Sequence, residues 1–193
     1  MRIIIVRHGE TLENIQDVLM GHMPGTLSEL GIEQARKVAL RLKDERIEYI
    51  FSSDLKRSLD TANHIKEYHP YAVFEITNKL REVDMGAWQG KTKKELGFTK
   101  NCRPPTPSDF ETWDKVYERA QRFLEEVKRD YSERNVLLVG HSGINRALIA
   151  VLKGINHEKI SEIPHQHNTG VNIFELVDGI YQPLVLNCKK HLD

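Results

Sequence analysis

The sequence predicts an α/β fold of three layers, α/β/α, with a mainly parallel sheet and an antiparallel strand at its edge. Short apolar, β-branched runs such as residues 3–6 are typical of strands that are buried on both faces. Amphipathic helical patterns separate these runs, and that alternation implies crossover connections between parallel strands. Near the end of the chain, two strand-like runs flank Asp178 and Gly179, which indicates an antiparallel hairpin.

The strands are predicted, in order, at residues 2–6, 47–51, 72–76, 135–139, 171–176 and 181–186. Apolar residues at helical spacing predict the helices at residues 32–42, 55–65, 113–127 and 144–152. Ser28 is expected to cap the first helix, and residues 52–54 (Ser-Ser-Asp) supply capping side chains for the second.

The composition excludes several classes of protein. The 193 residues carry 28 Lys and Arg against 28 Asp and Glu, with a sequence pI near 7.1. A balanced charge argues against a nucleic-acid partner and against a polybasic membrane anchor. The longest apolar runs, at 3–6 and 147–152, are far shorter than the roughly 18 residues that a membrane span requires, so no membrane partner is expected.

The chain is expected to form one domain, 1–193, in the cytoplasm. Cys102 and Cys188 are too few for a disulfide framework and favour a reducing compartment, and no secretion signal follows Met1. The proline-rich segment at about 97–110 is predicted to form a short lid or rim. A homodimer is kept as an alternative to a monomer.

Charged and nucleophilic side chains follow the predicted strands. Ligands of open α/β sheets bind at the carboxyl ends of strands, so these side chains are expected to meet at one rim. Arginine binds phosphate with two parallel hydrogen bonds, and histidine acts as a nucleophile or proton carrier, so the combination predicts phosphate chemistry. The residues are Arg7, His8, Glu10 and Thr11; Ser52, Ser53, Asp54 and Arg57; Arg81, Glu82 and Asp84; and His141 and Ser142.

Two other motifs are weaker. The stretch 86–92 has three residues between its glycines where a P-loop needs four, so Lys91 and Thr92 are instead expected to open a solvated helix. The stretch 140–144 approaches a nucleophile elbow, and a serine hydrolase that uses Ser142 with Asp178 and His191 stays as a minor alternative.

His165 and His167 could present two ligands on one side of an extended segment. No third ligand is evident from the sequence, so a rim position is favoured and no metal site is predicted.

Five blocks of the sequence together resemble the histidine phosphatase superfamily, which includes the cofactor-dependent phosphoglycerate mutases and the fructose-2,6-bisphosphatases. The first block is RHGET at 7–11 with Asn14 after it. The others, in the family's order, are SSDLKRS at 52–58, LREVDMGAWQG at 80–90, VGHSG at 139–143 and NT at 168–169.

This resemblance implies a role for each matched residue. His8 would attack phosphorus to form a phosphohistidine, with its other ring N–H fixed by an acceptor such as a backbone carbonyl. Arg7, Arg57 and His141 would surround the transferring group and stabilise its charge. Glu82 would protonate the leaving oxygen and then accept a proton from water. No metal and no cofactor is implied, because cationic side chains take the place of a metal.

Asn14, backbone donors near Gly21, His22 and Ser142 are the candidate substrate-binding groups. Met20 stands where relatives often carry a small polar residue, which places a side-chain phosphate contact there in doubt.

The 97–110 segment is compact compared with the insertions that cover the site in the related mutases and retain a phosphorylated intermediate. A shorter segment over the site admits water to the phosphohistidine, so the resemblance favours a phosphatase that acts on small phosphomonoesters. A cofactor-dependent phosphoglycerate mutase is the main alternative. A non-catalytic module that only binds phosphorylated ligands is a further one, although pure binding needs neither a nucleophile nor an acid.

Overall fold

A six-stranded mixed sheet forms the centre of the computed structural model, which describes residues 1–100 and 102–193. The strands are β1 (Arg2–Arg7), β2 (Tyr49–Ser53), β3 (Val73–Thr77), β4 (Val136–Gly140), β5 (Val171–Val177) and β6 (Ile180–Cys188). The helices are α1 (Leu12–Ile15), α2 (Glu29–Leu42), α3 (Lys56–Lys66), α4 (Trp113–Asp130) and α5 (Ser142–Leu152). The sheet order is β3-β2-β4-β1-β5-β6, and β1 to β4 are parallel. The predicted fold class is confirmed.

Alternate residues of β1 face opposite sides of the sheet, and both sides are covered. Ile3 and Ile5 pack in the core formed with α4 and α5, whereas Ile4 and Val6 pack in the core formed with α2 and α3. Because every position of such a strand is buried, its sequence is a continuous apolar run rather than an alternating one. The same pattern in β4 completes the three layers.

The C-terminal hairpin forms around a two-residue turn. Asp178 and Gly179 have φ angles of 50° and 81°, the left-handed conformation that a type I′ turn requires at both positions. β6 is the antiparallel edge strand, and β5 is a second antiparallel strand between β1 and β6.

The capping prediction is correct for α2 and wrong for α3. The Ser28 hydroxyl accepts a hydrogen bond from the backbone N–H of Gly31 at 3.0 Å. The N-cap of α3 is Leu55, with no side-chain cap. The carboxylate that could have capped α3 is used elsewhere, because Asp54 Oδ1 accepts from Arg81 Nε at 2.8 Å.

The helix predicted to begin at Lys91 and Thr92 does not form. The Lys91 carbonyl accepts a hydrogen bond from the Leu19 N–H, and Thr92 forms a β-bridge with Val18. Pairing with the segment after α1 therefore replaces helix formation here.

The predicted rim at 97–110 contains no helix or strand among its described residues, and Asn101 lies outside them. Phe110 packs edge-on against Trp88, with ring centroids 5.5 Å apart, and the Arg103 guanidinium lies 5.4 Å from the centre of the same ring. Across the described residues, none of the helices has the length and apolar character needed to cross a membrane.

Candidate active site

The loops that follow β1 and β4 bring His8 and His141 together. The two strands are adjacent, with Arg7 opposite Gly140, and the His8 N–H donates to the Gly140 carbonyl at 3.0 Å. The two imidazole centroids are 5.1 Å apart, and His8 and His141 are 2% and 0% exposed. Two adjacent parallel strands, each followed directly by a histidine, thus create a buried imidazole pair at the carboxyl edge of the sheet.

The hydrogen bonding of His8 fixes its tautomer. Nδ1 lies 2.7 Å from the carbonyl oxygen of its neighbour Gly9, which can only accept, so Nδ1 carries the proton and donates. Nε2 therefore presents its lone pair. Burial, with the positive charges of Arg57 and Arg7, lowers the pKa of His8 well below its ordinary value, so the ring is neutral near pH 7.

His141 has the opposite tautomer. Its Nδ1 accepts a hydrogen bond from Arg57 Nε at 3.1 Å, so the ring proton of the neutral form resides on Nε2. That Nε2 is buried and has no hydrogen-bond partner among the residues that the structure describes. Burial, followed by the charge of Arg57, lowers the pKa of His141 well below its ordinary value. The site therefore combines one histidine that offers a lone pair with one that offers an N–H.

Arg57 is almost fully enclosed, at 1% exposure, and is held at all three guanidinium nitrogens. Besides His141, its acceptors are the carbonyls of Gly21, Met23 and Pro24. Burial lowers the pKa of Arg57 to about 10, so it stays charged at neutral pH. Gly21, which has a φ of 49°, thus contributes its carbonyl to Arg57.

We expect Arg57→Lys to lower kcat/KM on an aryl phosphate by about 10- to 100-fold and stability by about 1–3 kcal/mol. A lysine ammonium has three donors at a single point and cannot span the positions of these four acceptors. Steady-state kinetics and urea unfolding measure the two effects, and Arg36→Lys on the exposed face of α2 is the matched control. Values within twofold of the unmodified protein in both assays would contradict this role.

Arg7 lies at the wall of the cavity beside the histidine pair. Its Nη1 donates to the Gln166 carbonyl at 2.7 Å, and its buried Nε has no partner in the described part of the chain. Asn14 and Asn168 line the same wall, and Asn168 Nδ2 donates to the His8 carbonyl at 3.1 Å. Arginine and amide donors therefore surround the approach to His8.

Glu82 lies against the first turn of α5. Its Oε1 accepts from the backbone N–H groups of Gly143 at 2.9 Å and Ile144 at 3.2 Å. Asp84 lies two residues after Glu82 and is the other carboxylate that could serve as the acid here. Its Oδ1 accepts a hydrogen bond from the Gly86 N–H at 2.9 Å. Of the two carboxylates, only Glu82 lines the cavity.

The cavity has a volume of about 880 Å³. Arg7, Asn14, Glu82 and Ser142 belong to its wall, whereas His8, Arg57 and His141 are buried and do not. The wall also contains Arg103 of the predicted 97–110 rim and His165, for which a rim position was predicted. Other wall residues were not singled out as substrate-binding by the sequence, chiefly Trp88, Lys93, Trp113, Arg146 and His157.

His22, a predicted substrate-binding residue, and Met20, where a side-chain phosphate contact was in doubt, both have other partners. His22 Nε2 lies 2.9 Å from the Glu82 carbonyl oxygen, and His22 is not part of the cavity wall. Met20 is buried with its sulfur 3.5 Å from the Thr11 hydroxyl. Both residues therefore support the loops around the site.

The residues of the serine hydrolase alternative are not brought together by hydrogen bonds. Ser142 Oγ lies 3.4 Å from His165 Nδ1, whereas the proposed base, His191, contacts the Thr169 hydroxyl at 3.0 Å. Asp178 lies in the turn between β5 and β6.

The lowered pKa values of His8 and His141 predict a loss of stability in acid. In the unfolded chain both rings bind protons as the pH falls through about 6.5, whereas in the folded protein they remain neutral to a much lower pH. The unfolded state then holds more protons, so the free energy of unfolding falls as the pH falls, by up to about 1.4 kcal/mol per pH unit for each ring. We expect His141→Gln to reduce the slope measured by urea unfolding between pH 6.5 and 5 by nearly that amount. An unchanged slope would contradict the prediction.

Comparisons with known proteins agree with this arrangement. Residues 3–189 match the model of the histidine phosphatase superfamily (branch 1). The chain is 32% identical over 188 residues to phosphoglycerate mutase-like protein 4 of Arabidopsis thaliana, covering 92% of this chain and 80% of that protein. It is 32% identical over 168 residues to phosphoserine phosphatase 1 of Hydrogenobacter thermophilus, covering 82% and 79%. The structure of a mycobacterial glucosyl-3-phosphoglycerate phosphatase in complex with VO3 superposes with a TM-score of 0.85 at 26% identity, covering 97% and 99%. The chain therefore belongs to the histidine phosphatase superfamily, and it is a phosphoric monoester hydrolase.

Proposed function

We propose that the protein hydrolyses small phosphomonoesters without a metal ion, through a phosphohistidine formed on His8. The observation that carries this proposal is the tautomer of His8. Its Nδ1–H is fixed to the Gly9 carbonyl at 2.7 Å, and its Nε2 forms no hydrogen bond with any residue that the structure describes. A neutral imidazole with a fixed, unoccupied lone pair is the form that can attack phosphorus.

In the first step, His8 Nε2 attacks phosphorus in line with the leaving oxygen. The P–N bond forms, the P–O bond to the leaving group breaks, and protonated Glu82 gives its proton to the departing oxygen. Arg7 and the Nε2–H of His141 hydrogen-bond to the non-bridging oxygens, where charge is stabilised during transfer. Their donors are preorganised, because Arg57 orients His141 and Gln166 orients Arg7.

In the second step, water attacks the phosphohistidine and Glu82 accepts the proton of that water. The P–N bond breaks, inorganic phosphate leaves, and His8 regains its lone pair. The carboxylate of Glu82 lies in the cavity wall, where it can reach both the leaving group and a water molecule. Cationic and N–H donors thus perform the charge stabilisation for which many phosphatases use metal ions.

The decisive experiment combines metal removal with isolation of the intermediate. In excess EDTA, we expect p-nitrophenyl phosphate to be hydrolysed at an undiminished rate. A rapid acid-free quench with ³²P-labelled substrate should yield a phosphoprotein that is labile to acid and stable to base, with the label mapped to His8 by mass spectrometry. Loss of activity on chelation that is restored by a metal, or a label on Ser142, would overturn the proposal.

Two rates measured with 3-phosphoglycerate distinguish hydrolysis from mutase activity. We propose that phosphate release from 3-phosphoglycerate exceeds its conversion to 2-phosphoglycerate, even after priming with bisphosphoglycerate. Interconversion faster than phosphate release would instead favour the mutase.

A further inference from the structure

A second buried cation, Arg146, lies in the wall of the cavity that also contains Arg7 and Glu82. Arg146 is only 6% exposed. It lies on α5 four residues after Ser142, so the two side chains share one face of the helix. Arg146 follows Gly143 and Ile144, whose amide groups hold Glu82, by three and two residues, which is about 3 to 4.5 Å along the axis of α5.

The Arg146 guanidinium is held in position by neutral groups. Its Nη2 donates to the Ile160 carbonyl at 2.7 Å, and its Cζ lies 5.3 Å from the centre of the Trp113 ring. Its buried Nε has no partner, and no ion pair joins Arg146 to a carboxylate within residues 1–100 and 102–193. Burial lowers the pKa of Arg146, and the charge of Glu82, in the same wall, only partly opposes that shift, so an anion that enters the cavity and binds the guanidinium directly would be stabilised there.

The neighbouring groups leave this cation available. Lys93, also in the wall, is already paired with Asp17 at 2.6 Å. His165 and Ser161 line the same wall and can donate to an anion that reaches Arg146. Burial, followed by the charge of Arg146, lowers the pKa of His165.

We propose that Arg146 is a specificity-determining residue that binds a second anionic group, a carboxylate or a phosphate, on the leaving group of the phosphomonoester. The inference rests on the proposed function, because it takes this cavity as the place where the leaving group lies. Arg7 and His141 hold the transferred phosphoryl group, and Arg146, fixed by Trp113 and Ile160, holds the other end. Arginine suits this task because its planar fork matches both kinds of anion.

Two pairs of substrates test the inference and distinguish the two anions. 3-Phosphoglycerate and glycerol 3-phosphate differ by a carboxylate, and glucose 1,6-bisphosphate and glucose 6-phosphate differ by a phosphate. We expect kcat/KM to favour the doubly anionic member of at least one pair. In Arg146→Met, which keeps an unbranched side chain against Trp113, that preference should fall at least tenfold. Arg146→Lys should retain part of the preference, and Arg129→Met, an exposed arginine on α4, should retain all of it.

A binding experiment makes the outcome independent of turnover. In the His8→Ala background, calorimetry compares the Kd values of the same four compounds with and without Arg146→Met. A preference that disappears with Arg146 supports the inference, whereas equal weakening of both members of a pair indicates a merely structural role and overturns it. The lack of any preference in the unmodified protein also overturns it. If none of the four compounds is hydrolysed, the proposed function fails, while the binding data still decide the role of Arg146.

Discussion

Replacing His8 with alanine is expected to lower kcat by about three orders of magnitude or more, because it removes the Nε2 lone pair that attacks phosphorus in the proposed mechanism. The proposed phosphate-binding residues Arg7, Asn14 and His141 remain in place, so substrate binding should weaken far less than turnover. The expected signature is therefore a collapsed kcat with a Kd changed by less than about tenfold. Single-turnover kinetics measure the first quantity, and calorimetry with the slowly turned-over variant measures the second.

Two controls separate this result from misfolding. His8→Ala removes a buried ring and leaves the Gly9 carbonyl without its donor, so stability should fall by about 1–3 kcal/mol while the fold persists, as near-UV circular dichroism would show. His64→Ala on α3, outside the cavity wall, should keep its activity. A His8→Ala protein that retains a kcat within tenfold of the unmodified protein would remove the phosphohistidine mechanism altogether.

Much of the fold could be predicted because burial on both faces leaves a continuous apolar run. β1 and β4 show this pattern, and it also indicates which strands lie at the centre of the sheet. The start of β2 was less predictable: the strand begins at Tyr49 rather than at residue 47, and Glu48 instead accepts a hydrogen bond from the Asn135 N–H at 3.0 Å. Competition among side chains likewise moved the start of α3, where Asp54 binds Arg81.

The candidate site could be predicted as a set of residue types, but its tautomers could not. The motifs indicate which residues follow each strand, whereas the protonated nitrogen of His141 depends on Arg57, 84 positions away in the chain. Arg57 in turn is fixed by backbone carbonyls. Because every residue has a backbone carbonyl, the sequence does not indicate which of them Arg57 contacts. Arg146 was not predicted, because the residues that follow it in α5 are all apolar, although its spacing of four from Ser142 was a visible signal.

Replacing Glu82 with glutamine is expected to produce losses that depend on the leaving group. Glutamine keeps the shape and one acceptor oxygen for the Gly143 N–H, so the start of α5 should stay in place. For an alkyl phosphate, whose leaving oxygen requires a proton, kcat/KM should fall by about 10²- to 10⁴-fold. For p-nitrophenyl phosphate, whose leaving group is stable as an anion, formation of the phosphohistidine should be slowed much less.

Hydrolysis of the intermediate provides the sharper result, because it needs Glu82 as a base whatever the first leaving group was. With p-nitrophenyl phosphate, stopped-flow absorbance of Glu82→Gln should therefore show a burst of about one nitrophenolate per active site, followed by slow turnover. Asp84→Asn is the matched control, since it makes the same change in the same loop at a carboxylate directed to the Gly86 N–H and outside the cavity wall. Equal losses on alkyl and aryl phosphates without a burst would mean that Glu82 only holds the α5 terminus, and the proton donor would then have to be sought among the other groups of the cavity wall, such as His165.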